Sequence, residues 1–298
     1  MKKKKNIIIK IIGGSTIIMT VVAMTILIAV LMIFDFFGSN LTKEKVENNL
    51  EYGDAYLEAV NENIRYGYVP LQRILYFRFE DESLTFNTLY DMNLDRQDKK
   101  TDEIESVCTD ERLKNLVACT SDNIEQNKEY LTVTTRRFNF PLDTDSYQVT
   151  SFFNQQREVY GQTDTHQGWD LATSAKTPVY SVCDGTVSRV TFTQDSNVPF
   201  SESGNKTGNI ITLKCDEDYD NTYYVMYAHL YPGSAKVKVG DKVNHWTKIA
   251  EVGTTGYSTG NHLHYQVNDE NNKAIDGMQF IDFTLSDDTK PQFDKVVW

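Results

Sequence analysis

Positive charge is scarce in this chain beyond its first ten residues. The 298 residues contain 30 Lys and Arg against 42 Asp and Glu, which gives a formal net charge of −12. Binding to nucleic acid depends on clustered Lys and Arg that neutralise phosphates, and no such cluster follows Lys10. The composition therefore argues against nucleic acid as a partner and indicates an acidic, solvated surface.

Charge of either sign is absent from Ile11 to Phe34. A run of about 24 residues would span roughly 36 Å as a helix, against a hydrocarbon core of about 30 Å. The run also lacks the small-x-small site at which a signal peptide is cleaved. We therefore predict a retained transmembrane helix over residues 11–37. The basic tail 1–10 would stay in the cytoplasm by the positive-inside rule, and the rest of this single-pass cell-membrane protein would lie outside.

Cysteine is also scarce, with four residues in the chain. Cys108 and Cys119 are close in sequence, and outside the cell we expect a local disulfide between them. Cys183 and Cys215 each flank an apolar, strand-like run. For these two, a bridge and a pair of buried free thiols are equally consistent with the sequence.

Residues 41–128 are predicted to form a mostly helical, membrane-proximal region. Apolar side chains recur between residues 41 and 66 at alternating steps of four and three, as on one helix face, if Gly53 fills the missing place. They are Val46, Leu50, Leu57, Val60 and Ile64. Such a stripe serves either association with a partner or packing on the chain's own domain, and its short length favours packing. Residues 129–145 are interpreted as a connector.

The pattern changes after residue 145. Short apolar runs alternate with turns of Gly, Asn and Asp, which is typical of an antiparallel β domain. We predict an all-β domain over residues 146–285, built as an antiparallel sheet or sandwich with an open groove, and a tail over 286–298. The six strand-like runs are 177–183, 186–192, 209–214, 223–228, 248–252 and 262–267.

Only five histidines are present, and four of them fall in three short motifs of this β domain. His166 and Asp170 are four residues apart, His229 follows a strand-like run, and His262 and His264 form a His-x-His pair. On a strand, His262 and His264 would point to the same face. Each motif alone is compatible with surface or core histidines, but together they offer the nitrogen and carboxylate ligands that a catalytic metal site needs.

These motifs belong to a longer resemblance. Residues 147–283 resemble peptidase family M23, the lysostaphin-like or LytM-like zinc endopeptidases. The similarity rests on several blocks that occur in the family's order: Val149-Thr150-Ser151-Phe152-Phe153, His166-Gln167-Gly168-Trp169-Asp170, Asp184-Gly185-Thr186-Val187, Tyr227-Ala228-His229-Leu230, Gly253-Thr254-Thr255-Gly256 and Asn261-His262-Leu263-His264.

The resemblance implies a division of roles. His166, Asp170 and His264 would bind Zn²⁺, and His229 and His262 would be catalytic residues that do not bind the metal. The family's substrates are peptide cross-links or bridges of peptidoglycan, so the expected partner is a peptidoglycan peptide. The fifth histidine, His245, occupies a stretch that departs from the family pattern, and we expect an exposed turn residue without a role.

Two functions of different classes follow from this. The first is a membrane-anchored zinc endopeptidase that remodels the cell wall. It could open the wall locally for an envelope-spanning assembly such as one for conjugation or secretion. Envelope proteins would then bind through residues 41–128. The alternative is a non-catalytic, LytM-like binding or activator module in an envelope complex. The intact five-residue set favours the enzyme.

Overall fold

A computed structural model describes residues 52–78, 83–94, 138–199, 206–215 and 221–283. The predicted cytoplasmic tail and transmembrane helix, Cys108, Cys119, most of the connector and the C-terminal tail lie outside these ranges. Within the described ranges, no helix has the length and apolar character needed to cross a membrane. The membrane anchor therefore stays a prediction from the sequence.

Three α-helices lie in the part of the membrane-proximal region that the structure describes: α1 (Gly53–Asn63), α2 (Leu71–Arg78) and α3 (Phe86–Leu94). A 3₁₀ turn, Ile64–Tyr66, extends α1. It ends at Gly67, whose φ of 148° favours glycine. The described helices agree with the predicted helical character.

The apolar face of α1 is buried within the chain. Tyr56, Ala59 and Val60 have no exposed surface, and α1 packs against α3 and against the first strand of the β domain. Leu57, which the predicted stripe includes, is only half-buried. For residues 53–63 the structure therefore agrees with the favoured interpretation, in which the stripe packs on the chain's own domain.

The β domain contains twelve strands within the described residues. They are β1 (Gln148–Ser151), β2 (Gln156–Val159), β3 (Gln162–Thr165), β4 (Trp169–Ala172), β5 (Pro178–Tyr180), β6 (Gly185–Thr191), β7 (Ile210–Cys215), β8 (Tyr224–Ala228), β9 (Lys242–Val243), β10 (Lys248–Glu251), β11 (His262–Asn268) and β12 (Ala274–Ile275). A 3₁₀ turn, Gly277–Phe280, follows β12. Each of the six predicted runs contains or overlaps a strand.

The strands form one large antiparallel sheet and two small ones. The large sheet has the order β1-β4-β11-β8-β7-β6-β9, and β12 pairs with β11. β5 pairs with β10, and β2 pairs with β3 as a hairpin. The predicted antiparallel, β-rich architecture is confirmed, and β11 lies in the middle of the large sheet, between β4 and β8.

The alternation of β11 separates a core face from a polar face. Leu263, Tyr265 and Val267 have no exposed surface and pack in the core. The residues between them, His262, His264 and Gln266, face the other way, as successive side chains of a strand do. The core therefore supports a row of polar side chains along the centre of the sheet.

The domain is held together by a disulfide and by the end of the predicted connector. Cys183 and Cys215 form a bridge, so the structure contains the disulfide, which is one of the two states that the sequence left open. Residue 138 pairs with residue 281 and residue 142 pairs with residue 179. Packing of the β domain therefore begins before residue 146.

Candidate metal centre and active site

His166 is fixed in place by the turn that follows β1. Its backbone N–H donates to the carbonyl of Gln155 at 2.9 Å, and its carbonyl accepts from the N–H of Asn154 at 2.8 Å. The residue lies in the short connection between β3 and β4. Four residues later, Asp170 lies on β4.

Asp170 and His264 are cross-strand neighbours. β4 and β11 are antiparallel, and their register places His264 directly opposite Asp170. Gly168 permits this approach, because a Cβ at position 168 would lie 2.9 Å from Cε1 of His264 and 2.6 Å from the carbonyl oxygen of Tyr265. The glycine in the first motif therefore makes room for the His-x-His strand.

Three donor atoms meet at one point. Nε2 of His166 lies 3.0 Å from Nδ1 of His264 and 3.1 Å from Oδ1 of Asp170. Nδ1 of His264 lies 2.9 Å from the same oxygen. Ligands of one tetrahedral zinc ion, with bonds of about 2.0–2.1 Å, are separated by about 3.3 Å. His166, Asp170 and His264 therefore fit a single metal ion.

Hydrogen bonds on the far side of each imidazole determine which nitrogen faces the centre. Nδ1 of His166 is 3.1 Å from the carbonyl oxygen of Phe152, which can only accept, so this nitrogen carries the proton and Nε2 presents a lone pair. Nε2 of His264 is 3.1 Å from Oε1 of Gln266, which leaves the lone pair on Nδ1. Such outer hydrogen bonds orient metal ligands.

Charge is concentrated around Asp170. Burial alone would raise the pKa of this carboxyl group, but its contacts with His166, His264 and His262 hold the pKa well below the usual value. Its second oxygen, Oδ2, forms a 2.6 Å ion pair with Nη1 of Arg157. Burial lowers the pKa of His166, against the attraction of Asp170. The carboxylate is thus ionised and the imidazole neutral, as metal ligands must be.

His229 faces the same centre from the end of β8. Nδ1 donates to the carbonyl oxygen of Thr255 at 2.7 Å, so Nε2 carries a lone pair. The backbone has a φ of 60°, a sparsely populated conformation for a non-glycine residue that is concentrated at functional sites. Burial, followed by the nearby His262 and His264, lowers the pKa of His229 to about 3.

His262 completes the cluster. Its Nδ1 lies 2.9 Å from the carbonyl oxygen of Gly260 and its Nε2 lies 3.6 Å from Oδ1 of Asp170. The rings of His229 and His262 are 4.5 Å apart between centroids. Two imidazoles therefore stand beside the three-ligand centre, each with its proton held by a loop carbonyl.

The cluster opens into a groove of about 200 Å³. The β2–β3 hairpin forms one wall, and the loop between β10 and β11 contributes Tyr257. The lining residues are Arg157, Val159, Thr163, Asp164, Thr165, His166, Gln167, Lys206, Thr207, His229, Tyr257, His264 and Gln266. The predicted open groove is present, and three of the five predicted site residues line it or lie at its floor.

Comparison with known proteins bears on this geometry. Residues 164–277 match peptidase family M23. The peptidoglycan DD-endopeptidase ShyB of Vibrio cholerae is 35% identical over 147 residues, which is 48% of this chain and 30% of that protein. The glycyl-glycine endopeptidase ALE-1 of Staphylococcus capitis is 31% identical over 142 residues, 44% of this chain and 35% of that protein.

Residues 164–277 are therefore similar to the peptidases of family M23, and we refer to the β domain that contains them as the M23 domain. A crystal structure of a zinc-containing peptidase from Vibrio cholerae is 34% identical and covers 48% of this chain and 40% of that chain, with a TM-score of 0.39. The chain thus spans about a third of the length of the two relatives above. The match of residues 164–277 agrees with the family resemblance that the sequence motifs predicted.

The structure brings all five predicted site residues of the M23 domain into one cluster. His166, Asp170 and His264 satisfy the geometry of a metal site within the described residues. The assignment of His229 and His262 as catalytic residues that do not bind the metal stays a prediction. The fifth histidine of the chain lies elsewhere. His245 is half-buried rather than exposed, and its Nδ1 lies 2.9 Å from Oδ1 of Asn139.

Two polar side chains beside the ligands were not found from the sequence. Gln266 could have been found, because it is two residues beyond His264 and lies on the same face of the strand. Arg157 carries no such signal. It lies on the β2–β3 hairpin and reaches Asp170 only through the fold.

Proposed function

We propose that this chain is a membrane-anchored, zinc-dependent endopeptidase that hydrolyses peptide cross-links or bridges of peptidoglycan. The proposal depends on one observation: three metal-binding atoms, on His166, Asp170 and His264, lie within 3.1 Å of one another and two further imidazoles adjoin them. A three-ligand site with a free coordination position is the arrangement of catalytic rather than structural zinc.

The side chains divide the chemical work. Zinc, when bound, supplies a Lewis acid that polarises a carbonyl and lowers the pKa of its water towards about 7. Nε2 of His229 and Nε2 of His262 are unprotonated while their Nδ1 atoms donate to Thr255 and Gly260. Either nitrogen can take the proton of the attacking water. Once protonated, it can donate to the oxyanion or to the leaving amine.

Two features support a substrate in the cell wall. ShyB is a peptidoglycan DD-endopeptidase and ALE-1 is a glycyl-glycine endopeptidase, so both types of peptide bond are candidates. The bridge between Cys183 and Cys215 suits an oxidising compartment outside the cytoplasm. With the apolar run 11–37 as an anchor, cutting would be confined to wall close to the membrane, as local opening for an envelope assembly requires.

Digestion of two defined substrates tests this function. The full chain, in detergent and loaded with zinc, is incubated with peptidoglycan that has direct DD cross-links and with peptidoglycan that has glycine bridges. Mass spectrometry of the products identifies the bond. We expect new peptide ends from one of the two peptidoglycans. Their release should stop when a chelator is added and resume with zinc, and His229→Ala should not release them.

The non-catalytic alternative makes a different prediction for the same samples. If the wild-type chain binds zinc and sediments with peptidoglycan but releases no more peptide ends than His229→Ala, the endopeptidase proposal is wrong and a binding or activator module replaces it.

A further inference from the structure

The segment 52–78 contacts the M23 domain at its edge strand β1 and at the buried side chains of Phe152 and Trp169. This segment precedes the family match, which begins at residue 164, and no role for it follows from the family. Three of its side chains, Tyr56, Asn61 and Tyr68, make the contacts described below. The contacts of Tyr56 and Tyr68 reach a residue bonded to, or next to, a residue of the metal centre, and Asn61 contacts the strand that pairs with β4.

Asn61 closes the free edge of the large sheet. β1 is the terminal strand of the sheet order, so one side of its backbone has no partner among the strands that the structure describes. The N–H of Val149 donates to Oδ1 of Asn61 at 2.7 Å, and Nδ2 of Asn61 donates to the carbonyl of Val149 at 2.9 Å. A single side chain thus substitutes for a neighbouring strand and holds β1, which lies against Asp170 on β4.

Tyr56 supports the turn that orients His166. Its ring packs edge-on against Phe152 with the centroids 4.9 Å apart, and both side chains are essentially without exposed surface. The carbonyl oxygen of Phe152 is the atom that accepts the proton of Nδ1 of His166. The same turn holds the backbone of His166 through Gln155 and Asn154. Displacement of Phe152 would therefore displace the imidazole.

Tyr68 supports the residue beside Asp170. Its ring packs edge-on against Trp169 at 5.3 Å between centroids, and its hydroxyl donates to Oδ2 of Asp276. Nε1 of Trp169 donates to Oδ1 of the same carboxyl group at 2.9 Å. Asp276 is half-buried, and the partial loss of its hydration raises its pKa. Tyr68 and Trp169 are therefore joined through one half-buried carboxyl group, and Trp169 precedes the metal ligand Asp170 in the chain.

We propose that residues 52–78 are a brace for the metal centre. Tyr56 and Tyr68 fix Phe152 and Trp169, and Asn61 fixes the strand between them, so that His166 and Asp170 are held at the spacing that one metal ion requires. The ligands belong to the M23 domain, but their positions depend on a segment outside it. The metal affinity of the domain therefore depends on attachment of the membrane-proximal segment.

Zinc affinity of the full chain tests the brace. The dissociation constant is measured by chelator competition for wild type, Asn61→Ala, Tyr56→Leu and Tyr68→Phe, at a temperature where each remains folded. We expect roughly tenfold weaker binding for each of the three variants, at the low end of the 10–100-fold loss that follows removal of groups that orient metal ligands. The visible absorption of bound Co²⁺ should change in the same variants.

Two controls separate bracing from general destabilisation. Tyr56→Phe keeps the ring against Phe152 but removes the hydroxyl that donates to Val69, so it should lower the unfolding temperature while zinc affinity stays within about twofold of wild type. Glu58→Ala changes an exposed position of α1 and should alter neither quantity.

The brace rests on the metal site of the proposed function, but the zinc-affinity measurements can fail independently of the cleavage assay. If the three brace variants bind zinc and Co²⁺ as wild type does, the brace is disproved. It also fails if the wild-type chain binds no zinc. A chain that binds zinc tightly and cleaves nothing would disprove the endopeptidase alone. If Asn61→Ala does not fold, the zinc affinities of Tyr56→Leu and Tyr56→Phe are compared instead, and equal affinities disprove the brace.

Discussion

The carboxylate of Asp170 is shared between the metal centre and Arg157. Nη1 of the arginine lies 2.6 Å from Oδ2, while Oδ1 faces the ligand nitrogens of His166 and His264. The same Nη1 also donates to Ser151 at 2.9 Å. The ion pair fixes the plane of the carboxylate and leaves one oxygen for the metal, because the other is occupied.

Arg157→Gln should therefore weaken zinc binding by about 10–100-fold, the usual cost of losing a group that orients a metal ligand. Chelator competition measures the change. Asp164→Asn is the matched control, because Asp164 is the more exposed partner of the same arginine, at 3.5 Å. We expect that variant to bind zinc within about twofold of wild type, and an equal loss in both variants would contradict a specific role for the pair with Asp170.

The zinc content of two variants distinguishes a histidine that binds the metal from one that is catalytic. His264→Ala removes one of three ligands, so the purified chain should retain little zinc by elemental analysis. His262→Ala should keep close to one zinc per chain, because the group of potential ligand atoms consists of His166, Asp170 and His264 and does not include His262. Its cleavage rate should still fall by about 10²–10⁴-fold, the usual contribution of an acid–base group.

The result would go the other way if both members of the His-x-His pair bound metal. His262→Ala would then lose zinc together with activity, and the assignment of His229 and His262 as a catalytic pair would be wrong.

The bridge between Cys183 and Cys215 should contribute to stability rather than to the site. The two residues are 32 positions apart, and closing such a loop in the unfolded chain is worth about 3–4 kcal/mol in the chain-entropy model. The double variant Cys183→Ser, Cys215→Ser should lose about that much unfolding free energy in urea titrations. Wild type kept in a reductant should lose at least as much, because the reductant also opens the predicted bridge between Cys108 and Cys119. A smaller loss than in the double variant would mean that the serines themselves perturb the fold.

Much of the site could be predicted because its signals are local. His262 and His264 share a face through the period of a single strand, and His166 and Asp170 occupy one short motif. The six strand-like runs were found for the same reason, since each is bounded by turn residues. Local patterns were sufficient to locate the strands and the candidate residues, whereas the division into metal ligands and catalytic residues came from the resemblance to family M23.

The remaining contacts join residues that are far apart in sequence. Asn61 and Val149 are 88 positions apart, and Arg157 reaches Asp170 from a separate hairpin whose strands alternate only weakly in burial. Neither side chain belongs to an apolar pattern, and the tertiary fold alone brings each to its partner. The sequence therefore predicted the metal ligands but missed the groups that hold them.

Acid should destabilise the zinc-free protein through His229. The pKa of this group is about 3 in the folded state against 6.5 ordinarily, so between these values the unfolded chain binds a proton that the folded chain does not. Unfolding free energy must then fall as pH decreases from about 6.5. Replacement by Gln removes this titration, so the slope should be shallower by up to about 1.4 kcal/mol per pH unit.

Urea titrations of wild type and His229→Gln between pH 7 and pH 4, both with a chelator, provide the measurement. Parallel curves would show that His229 titrates normally in the folded protein.

The close packing at Gly168 leads to the most specific structural test. An alanine there would place Cβ 2.6 Å from the carbonyl oxygen of Tyr265 and 2.9 Å from the imidazole of His264. Since the carbonyl belongs to the central strand, the ring and β4 must separate, and Gly168→Ala should cost about 1–3 kcal/mol of unfolding free energy together with most of the zinc affinity. Gly260→Ala is the control, because its Cβ would meet no atom within 4 Å and its carbonyl would still accept from His262. If calorimetry and chelator competition show equal losses for both glycines, the effect arises from backbone freedom and not from contact with the metal ligand.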